Sequence, residues 1–588
     1  MRHGEIDYLV FDYLAELTMS VLAAARLRKP ELGYATDFVT VTMKTLLKEI
    51  VERNIRVVSN AGGINPQGCA QALAAIAAEQ GVDVRIAVVE GDDVMPLVPA
   101  LREAGLQTSL QTGLRDMDAQ QGRPLPDKLL SANAYLGALP IRQALDQGAQ
   151  IVITGRCVDS AVTLGVLMHE FGWQADHYDH LAQGSLAGHI IECGCQATGG
   201  LHTDWESVPD WPNIGYPVVA CRADGSFLVG KPPATGGLVS IATVGEQILY
   251  EIGDPAAYLL PDVTCDFTQV TLAQAGPDLV EVSGARGRAP GGAYKVSATY
   301  ADGFRCNAQL TIVGFDAVAK AERTAQAILA RTRRLFSDNG WGDYTRTHID
   351  VLGAESCYGP HAQAQARHTR EAIMRLAVMH PEKAALALFA REISAAGTSW
   401  SPGTTGSGSG RPSPSPSIRQ TAFLLDKGAL APTVLMDGQR TPVAVPAGGA
   451  APVPSEPAPT ASSPVAMGDD LGDDMGADLV EVPLIRLAYG RSGDKGDISN
   501  IGLIARQPDY LPLLRAQVTP ERVAQWLGHL VKGPITRYDL PGIDAINLVC
   551  EAALDGGGMA SLRNDPLGKG MAQILLAMPV RVPRELLR

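Results

Sequence analysis

Short, wholly apolar runs alternate with stretches of helical period through the first 170 residues. This alternation narrows the fold more than anything else in the 588-residue chain. "DYLVF", "IRVVSN" and "VRIAVVEGDD" read as strands. "AELTMSVLAAARL", a stretch near 38–53 and "CAQALAAIAAEQ" read as helices, and "IRQALDQGAQIVITGRCVDSAVTLGVLMHEFG" continues the pattern. Apolar strands separated by helices imply a mostly parallel sheet with helices on both faces.

From about residue 214 the period changes. "YPVVACRADGSFLVG", "DFTQVTLAQAGPDLVEVSG" and "YKVSATYADGFRCNAQLTIVG" alternate and turn at Asp-Gly or Gly-Pro, the signature of antiparallel hairpins. Helices near 315–336 and 381–396 follow, and the strand "SIRQTAFLLD" closes this unit. Residues 439–478 are rich in Pro, Ala, Gly and Ser, end in "GDDLGDDMGAD", and read as a flexible acidic linker. Residues 479–588 then run strand ("PLIRL"), charged glycine loop, strand ("ISNIGLIAR"), helix (519–531), strands ("ITRYDL", "AINLVCEAAL") and helix (567–577). That order suggests a small α+β domain of ferredoxin-like type. The expected class is therefore α/β: a mostly parallel sheet domain with an antiparallel β-rich insertion, plus the small C-terminal domain. The expected division is 1–438 (1–213 parallel, 214–438 hairpin-rich), linker 439–478 and tail 479–588.

A chain this long exceeds one ordinary core, which agrees with the division. A net charge of −14 disfavours nucleic acid and anionic lipid as partners, since both are bound by clustered cations. The N-terminal apolar stretch is interrupted by Asp12 and Glu16 and lacks a cleavage pattern, and no run reaches the roughly 18 apolar residues that span a bilayer. Nine thinly spread cysteines fit free thiols in a reducing compartment. The expectation is a cytoplasmic homo-oligomer that binds a small molecule, with no nucleic-acid or membrane partner.

In an open α/β sheet, ligands sit beyond the carboxyl ends of the strands. Four such ends are legible: Asp12 and Glu16; Asn60, Gly62, Gly63 and Asn65; Glu90, Asp92 and Asp93; Arg156 and Asp159. Each carries polar residues or glycine where the apolar pattern stops, so the four loops are expected to share one pocket. Asp159 ahead of "SAVTLGVL" also reads as a plain helix N-cap. "SNAGGINPQG" reads as a ligand loop, because glycines let main-chain N–H groups approach a ligand and the following helix start favours an anion; the alternative is a tight strand-to-helix turn. It is not a dinucleotide fingerprint, and "GSFLVGKP" is not a phosphate loop, because Pro232 stands where Ser or Thr is needed. "HIIECGCQATGGLH" brings histidines and cysteines together, but C-x-C without a second pair is a poor zinc pattern, and no metal is expected. Glu192 in this stretch is a candidate acid/base, beside Asp12 and Asp159. Arg286 and Arg288 sit on a glycine-rich hairpin and suit a phosphate, or are simply solvated.

The stretches "GEIDYLVFDYLAELTMS", "GYATDFV", "VVSNAGGINPQGCA", "ITGRCVDSAVTLGVLMHEFGW", "GHIIECGCQATGG" and "GRSGDKGDISNIG" resemble the acyclic terpene utilisation protein A family over nearly the whole chain except the linker. The resemblance implies a large N-terminal domain and a ferredoxin-like domain that is a separate chain in some members. It implies a place in the breakdown of acyclic terpenes or branched acids carried as coenzyme A thioesters. A coenzyme A thioester is thus the expected substrate, with no certain cofactor. The expected chemistry is hydration/dehydration or carbon–carbon lysis, which need carboxylates and oxyanion donors but no redox group; the alternative is a non-catalytic acyl-CoA-binding or scaffolding subunit. The family pattern has a glycine-bearing strand and turn ahead of "GEIDYLV", where this sequence has Met1; the expectation is either a later start or one central strand fewer.

The last candidate is "GRSGDKGD", residues 490–497. Two readings stand side by side. Asp494 and Asp497 lock the tail domain against the large one, and Arg491 and Lys495 face an anion at the same interface.

Overall fold

The computed structural model describes residues 1–107, 125–406, 410–449 and 479–587. The parallel sheet forms as the apolar runs require. Tyr8–Phe11, Arg56–Ser59, Ile151–Thr154 and Ile86–Glu90 lie side by side in that order, all parallel. Alternate residues serve opposite faces. Val57, Ile151 and Ile153 pack on the helical stretch 38–52 and on helix Pro66–Gln80. Val58 and Val152 pack on helices Leu139–Asp146 and Ala161–Phe171. These four strands pair without a gap, with Tyr8–Phe11 at the edge of the sheet.

Two antiparallel strands, Thr433–Met436 and Gln439–Pro442, extend the same sheet beyond Ile86–Glu90. This corrects the linker boundary: residues 439–442 are sheet, and Gly449 N–H still bonds Pro290 O at 2.9 Å. The linker expectation for 450–478 lies outside the described residues.

Two of the three expected hairpins form, Val218–Cys221 with Phe227–Gly230 and Thr271–Gly276 with Leu279–Ser283. The third does not. Ala293–Val313 is one 21-residue strand, and Asp302–Gly303 is a bulge within it, with Gly303 at φ +71°. The partner strand Ser415–Asp426 pairs on both sides of the bulge, Ala301 with Ile418 and Phe304 with Pro416, so Asp302 and Gly303 stand opposite the single residue Ser417 and the strand goes on. Its first half pairs with Ser131–Ala134 and its second with Glu371–His380, under helices Ala317–Asp338 and Lys383–Ser399.

The tail is a four-stranded antiparallel sheet with helices on it, in the order Ala488–Lys495, Ile498–Ala505, Ala545–Cys550, Ile535–Leu540. Here the sequence reading is corrected again. "PLIRL" holds only a short helical turn, Leu484–Arg486, and the charged glycine stretch is itself a strand joined to the next by Gly496–Asp497. Its glycines serve close approach: a Cβ at Gly493 would stand 2.5 Å from Glu251 Cγ and 2.8 Å from the Tyr250 ring, and one at Gly502 2.4 Å from Leu249 Cβ. The tail sheet can therefore lie directly on the end of helix Ile241–Leu249 of the large domain. Among the described residues no helix is long and apolar enough to cross a membrane.

Candidate active site

Three of the four strand ends meet. Asn60, fully buried, donates from Nδ2 to Asp12 Oδ1 at 2.5 Å and accepts Tyr13 N–H on Oδ1 at 2.7 Å, tying the first two loops. Arg156, also buried, donates from Nη1 to Leu14 O (2.6 Å), Cys157 O (3.1 Å) and Asp159 Oδ1 (2.9 Å), and its guanidinium lies 4.0 Å above the Tyr135 ring. The helix after Asp159 takes Ser160 as its N-cap, so Asp159 is an ion-pair partner and not a cap. The fourth end stands behind: buried Asp92 accepts Arg156 N–H at 2.9 Å and Asn133 Nδ2 at 2.8 Å.

The glycines of the loop serve close packing of the main chain. A Cβ at Gly62 would meet Thr154 O at 2.4 Å, and one at Gly63 (φ +54°) would meet Leu22 and Gly33 O. Asn65 caps helix Pro66–Gln80 by accepting Gly68 N–H at 3.1 Å. These three residues shape the turn that presents Asn60. Arg286 pairs with Asp179 at 3.1 Å beside the start of helix Tyr178–Ile191, and Arg288 is exposed on the same short strand. That 14-residue helix is about 20 Å long and ends at Glu192. Both arginines therefore lie near the opposite end of that helix from Glu192, exposed on the surface.

The tail supplies what the strand ends lack. Lys495 Nζ reaches Glu251 Oε2 at 2.9 Å, and Lys569 Nζ reaches Glu251 Oε1 (3.1 Å), Asp494 Oδ1 (3.0 Å) and the Tyr250 hydroxyl. Arg491 donates to Leu201 O at 2.7 Å and lies over the Tyr250 ring. Asp494 thus answers across the interface through Lys569. Asp497 does not: its carboxylate accepts Leu554 and Gly556 N–H groups of the tail itself. Around these contacts, Arg506 grips Asp204 through both nitrogens (2.7 and 2.6 Å), and Arg375, Arg346 and Arg305 of the large domain donate to the carbonyls of Leu562, Ala560 and Met559.

Where the two domains meet, charged side chains from both keep a partly solvent-accessible cleft between them. Glu16, Asp159, Glu251 and Lys495 keep 14%, 22%, 17% and 35% of their side-chain surface although they are deep in the molecule. Its carboxyl groups divide into two kinds. Burial pushes Asp12 well above the ordinary carboxylate range; the charges of Asp159 and Glu192 add to this, and Asn60 and Arg156 oppose it. Burial likewise raises Glu192, against the pull of His189 Nδ1 at 3.1 Å. Glu16 goes the other way. Burial alone would raise it, but Lys495, Lys295, Arg156 and the Tyr135 hydroxyl (2.6 Å) hold it far below. Lys495, despite burial, is held charged by Glu251, Glu16 and Asp159. Burial and nearby carboxylates raise the Cys193 thiol out of reach of a thiolate at neutral pH. Among the described residues no group of three or more His, Cys, Asp or Glu is placed to hold a metal ion.

Of the residues named from the sequence, Asp159 and Lys495 keep part of their side-chain surface here, Glu192 keeps 7%, and Asn60 and Arg156 lie buried behind them, joined to Asp12 and Asp159 by hydrogen bonds. Sequence reading weighed His189 only as a metal ligand, listed Glu16 only at a strand end, and did not name Tyr135, Glu251 or Lys569.

Residues 1–436 match the family model described as "Acyclic terpene utilisation family protein AtuA", and residues 482–581 match the "AtuA ferredoxin-like domain". No curated protein and no solved structure matches the chain.

Proposed function

The chain belongs to the acyclic terpene utilisation family, and from that premise we propose that it is an acid–base enzyme acting on a branched or terpenoid acyl-CoA, hydrating an enoyl thioester or dehydrating its 3-hydroxy counterpart. The observation that carries this reading is the division of carboxyl groups in one cleft. Glu16 is held ionised, while burial biases Asp12 toward its neutral form and Glu192 shares a proton with His189 Nδ1, 3.1 Å away. Paired groups whose surroundings push their pKa values apart supply a base and an acid at the same pH.

In the dehydration direction Glu16 takes the proton on the carbon next to the thioester. The electron pair of that C–H bond forms the C=C bond, the C–O bond breaks, and the departing hydroxyl takes a proton from Glu192 to leave as water. Hydration is the reverse. Charge builds on the thioester oxygen as the proton leaves, and the Lys495 ammonium is the cation open to it in the cleft. Carbon–carbon lysis would need a base for the substrate hydroxyl but no acid for a leaving hydroxyl, so it uses only half of this arrangement.

The test is turnover by the full chain. Branched enoyl-CoA and 3-hydroxyacyl-CoA pools are incubated in ¹⁸O-water and read by mass spectrometry. Hydration adds one labelled water to the enoyl species, and Glu16→Gln abolishes it. Tight binding of both pools with no mass change would refute the enzyme and favour an acyl-CoA-binding subunit.

A further inference from the structure

One buried ring beside the cleft has both nitrogens against acceptors. His189, 1% exposed, stands in the last turn of helix Tyr178–Ile191. Its Nε2 is 3.2 Å from Ile248 O and its Nδ1 is 3.1 Å from Glu192 Oε1. A main-chain carbonyl can only accept, so Nε2 carries a hydrogen. One further proton must then lie between Nδ1 and Oε1, either on an imidazolium facing a carboxylate or on a carboxyl facing a neutral ring. Its loss would set a ring lone pair against a buried carboxylate, an arrangement with no compensating bond.

The carbonyl that fixes the ring is itself fixed from the tail. Ile248 lies in the last turn of helix Ile241–Leu249, whose carbonyl end carries negative partial charge and favours a cationic ring. The next groups along the chain bond two tail asparagines. Asn500 donates to Leu249 O (2.7 Å) and accepts Glu251 N–H (2.9 Å). Asn547 donates to Ile252 O (3.0 Å) and Gly253 O (2.7 Å), and the two amides bond each other at 2.9 Å. They are 5% and 0% exposed.

We propose that His189 is a positioning residue that keeps one proton on the His189–Glu192 pair, and that Asn500 and Asn547 set its ring orientation by holding residues 249–253 across the domain interface. The pair is the proton store for the acid named above, and in that consequence alone the proposal rests on the acid–base reading. The charged and titratable groups around the pair are Asp159, which favours keeping the proton, and Lys495, which opposes it, with Asp12, Tyr258 and Cys193 close by.

The experiment is nitrogen NMR of the full chain labelled at histidine, followed from pH 5 to 9, with the His189 signals assigned by their loss in His189→Asn. The expected result is an Nε2 that stays protonated throughout and a ring that titrates above 6.5. In Glu192→Gln the midpoint falls by about one unit or more, since burial then acts without its counterion. Asn500→Ala, or Asn500→Ser if the alanine variant does not fold, shifts the Nε2 resonance without altering distant histidines. A ring that titrates near 6.5 in both wild type and Glu192→Gln, or an Nε2 that is unprotonated at pH 7, overturns the proposal. No turnover is needed for this measurement. An intact coupling in a protein that turns nothing over supports the pair and sinks only the enzyme reading; an uncoupled ring in an active enzyme sinks only the pair.

Discussion

Asn547→Ala is the sharpest probe of how the tail is held. Asn547 is fully buried and makes three hydrogen bonds, two to carbonyls of the large domain and one to Asn500. Truncation leaves Ile252 O and Gly253 O facing a small void while the domains stay docked. A buried polar group left without its partner costs about 1–3 kcal/mol, so two carbonyls give roughly 3–4 kcal/mol after partial relaxation. If the tail swings away, both carbonyls meet water and that cost vanishes. The loss therefore falls on docking and spares the core of either domain. At 1.4 kcal/mol per tenfold, docking weakens by roughly 10²–10³. The assay is urea unfolding of the full chain, followed by tryptophan fluorescence and by limited proteolysis. The wild type is expected to lose docking and fold together, and the variant to show an early transition in which the tail separates before either domain melts. An unchanged single transition at the wild-type midpoint would mean that this seam does not hold the domains, and the reasoning would be wrong.

Four further outcomes follow from the charges. Glu251, brought to about 2 from an ordinary 4.5 by Lys495 and Lys569 against the opposing effect of burial, contributes roughly 3 kcal/mol that is present above pH 4.5 and lost as pH falls toward 2; Glu251→Gln should therefore flatten the acid side of the stability curve measured by thermal melting. Asp92, Asp262 and Asp494 are each raised to about 6, chiefly by burial, so their folded forms bind protons more tightly than the unfolded chain does and stability should rise as pH drops from 7 to 5; a melting temperature that falls over that range would contradict it. If Glu16 is the base and Glu192 the acid, kcat should show an alkaline limb from the raised acid and no acid limb above about pH 5 from the depressed base, while Arg286→Ala, which breaks only an exposed ion pair worth about 0–1 kcal/mol, should leave kcat and KM unchanged.

What could be read from the sequence was local. Apolar runs and their punctuation located the parallel strands, and the polar residues where those runs stop located Asp12, Asn60, Arg156 and Asp159. What could not be read depends on partners far along the chain. Asp302–Gly303 carries the same signal as a hairpin turn, and only the length of the strand Ser415–Asp426 decides that it is a bulge. The glycines of "GRSGDKGD" read as a loop because nothing nearby shows that Tyr250 and Glu251 will press against Gly493. The sequence marks His189 only as one of a His and Cys cluster and does not mark Glu251 at all, because each gains its partner from another element. One signal was present and unused: Asn500 in "ISNIGLIA" and Asn547 in "AINLVC" interrupt strands that are otherwise apolar, and a buried amide in such a place must find partners.

The character of the interface follows from what it has to deliver. A wholly apolar seam would bring the domains together but would fix their register weakly, since apolar contact is not directional. Lys495 must land between Glu251 and Glu16; a displacement of a few ångströms would take from Glu16 the foremost of the cations that keep it ionised and leave Lys295 and Arg156. The seam is accordingly built from directional bonds to main-chain groups: arginines to the carbonyls of Met559, Ala560 and Leu562, Arg491 to Leu201 O, and the asparagine pair to residues 249–253. Each is satisfied in a single register. Geometry of that kind gives precision at the cost of tolerance, which is why the loss of one buried amide is expected to be felt both in docking and in the protonation of the cleft.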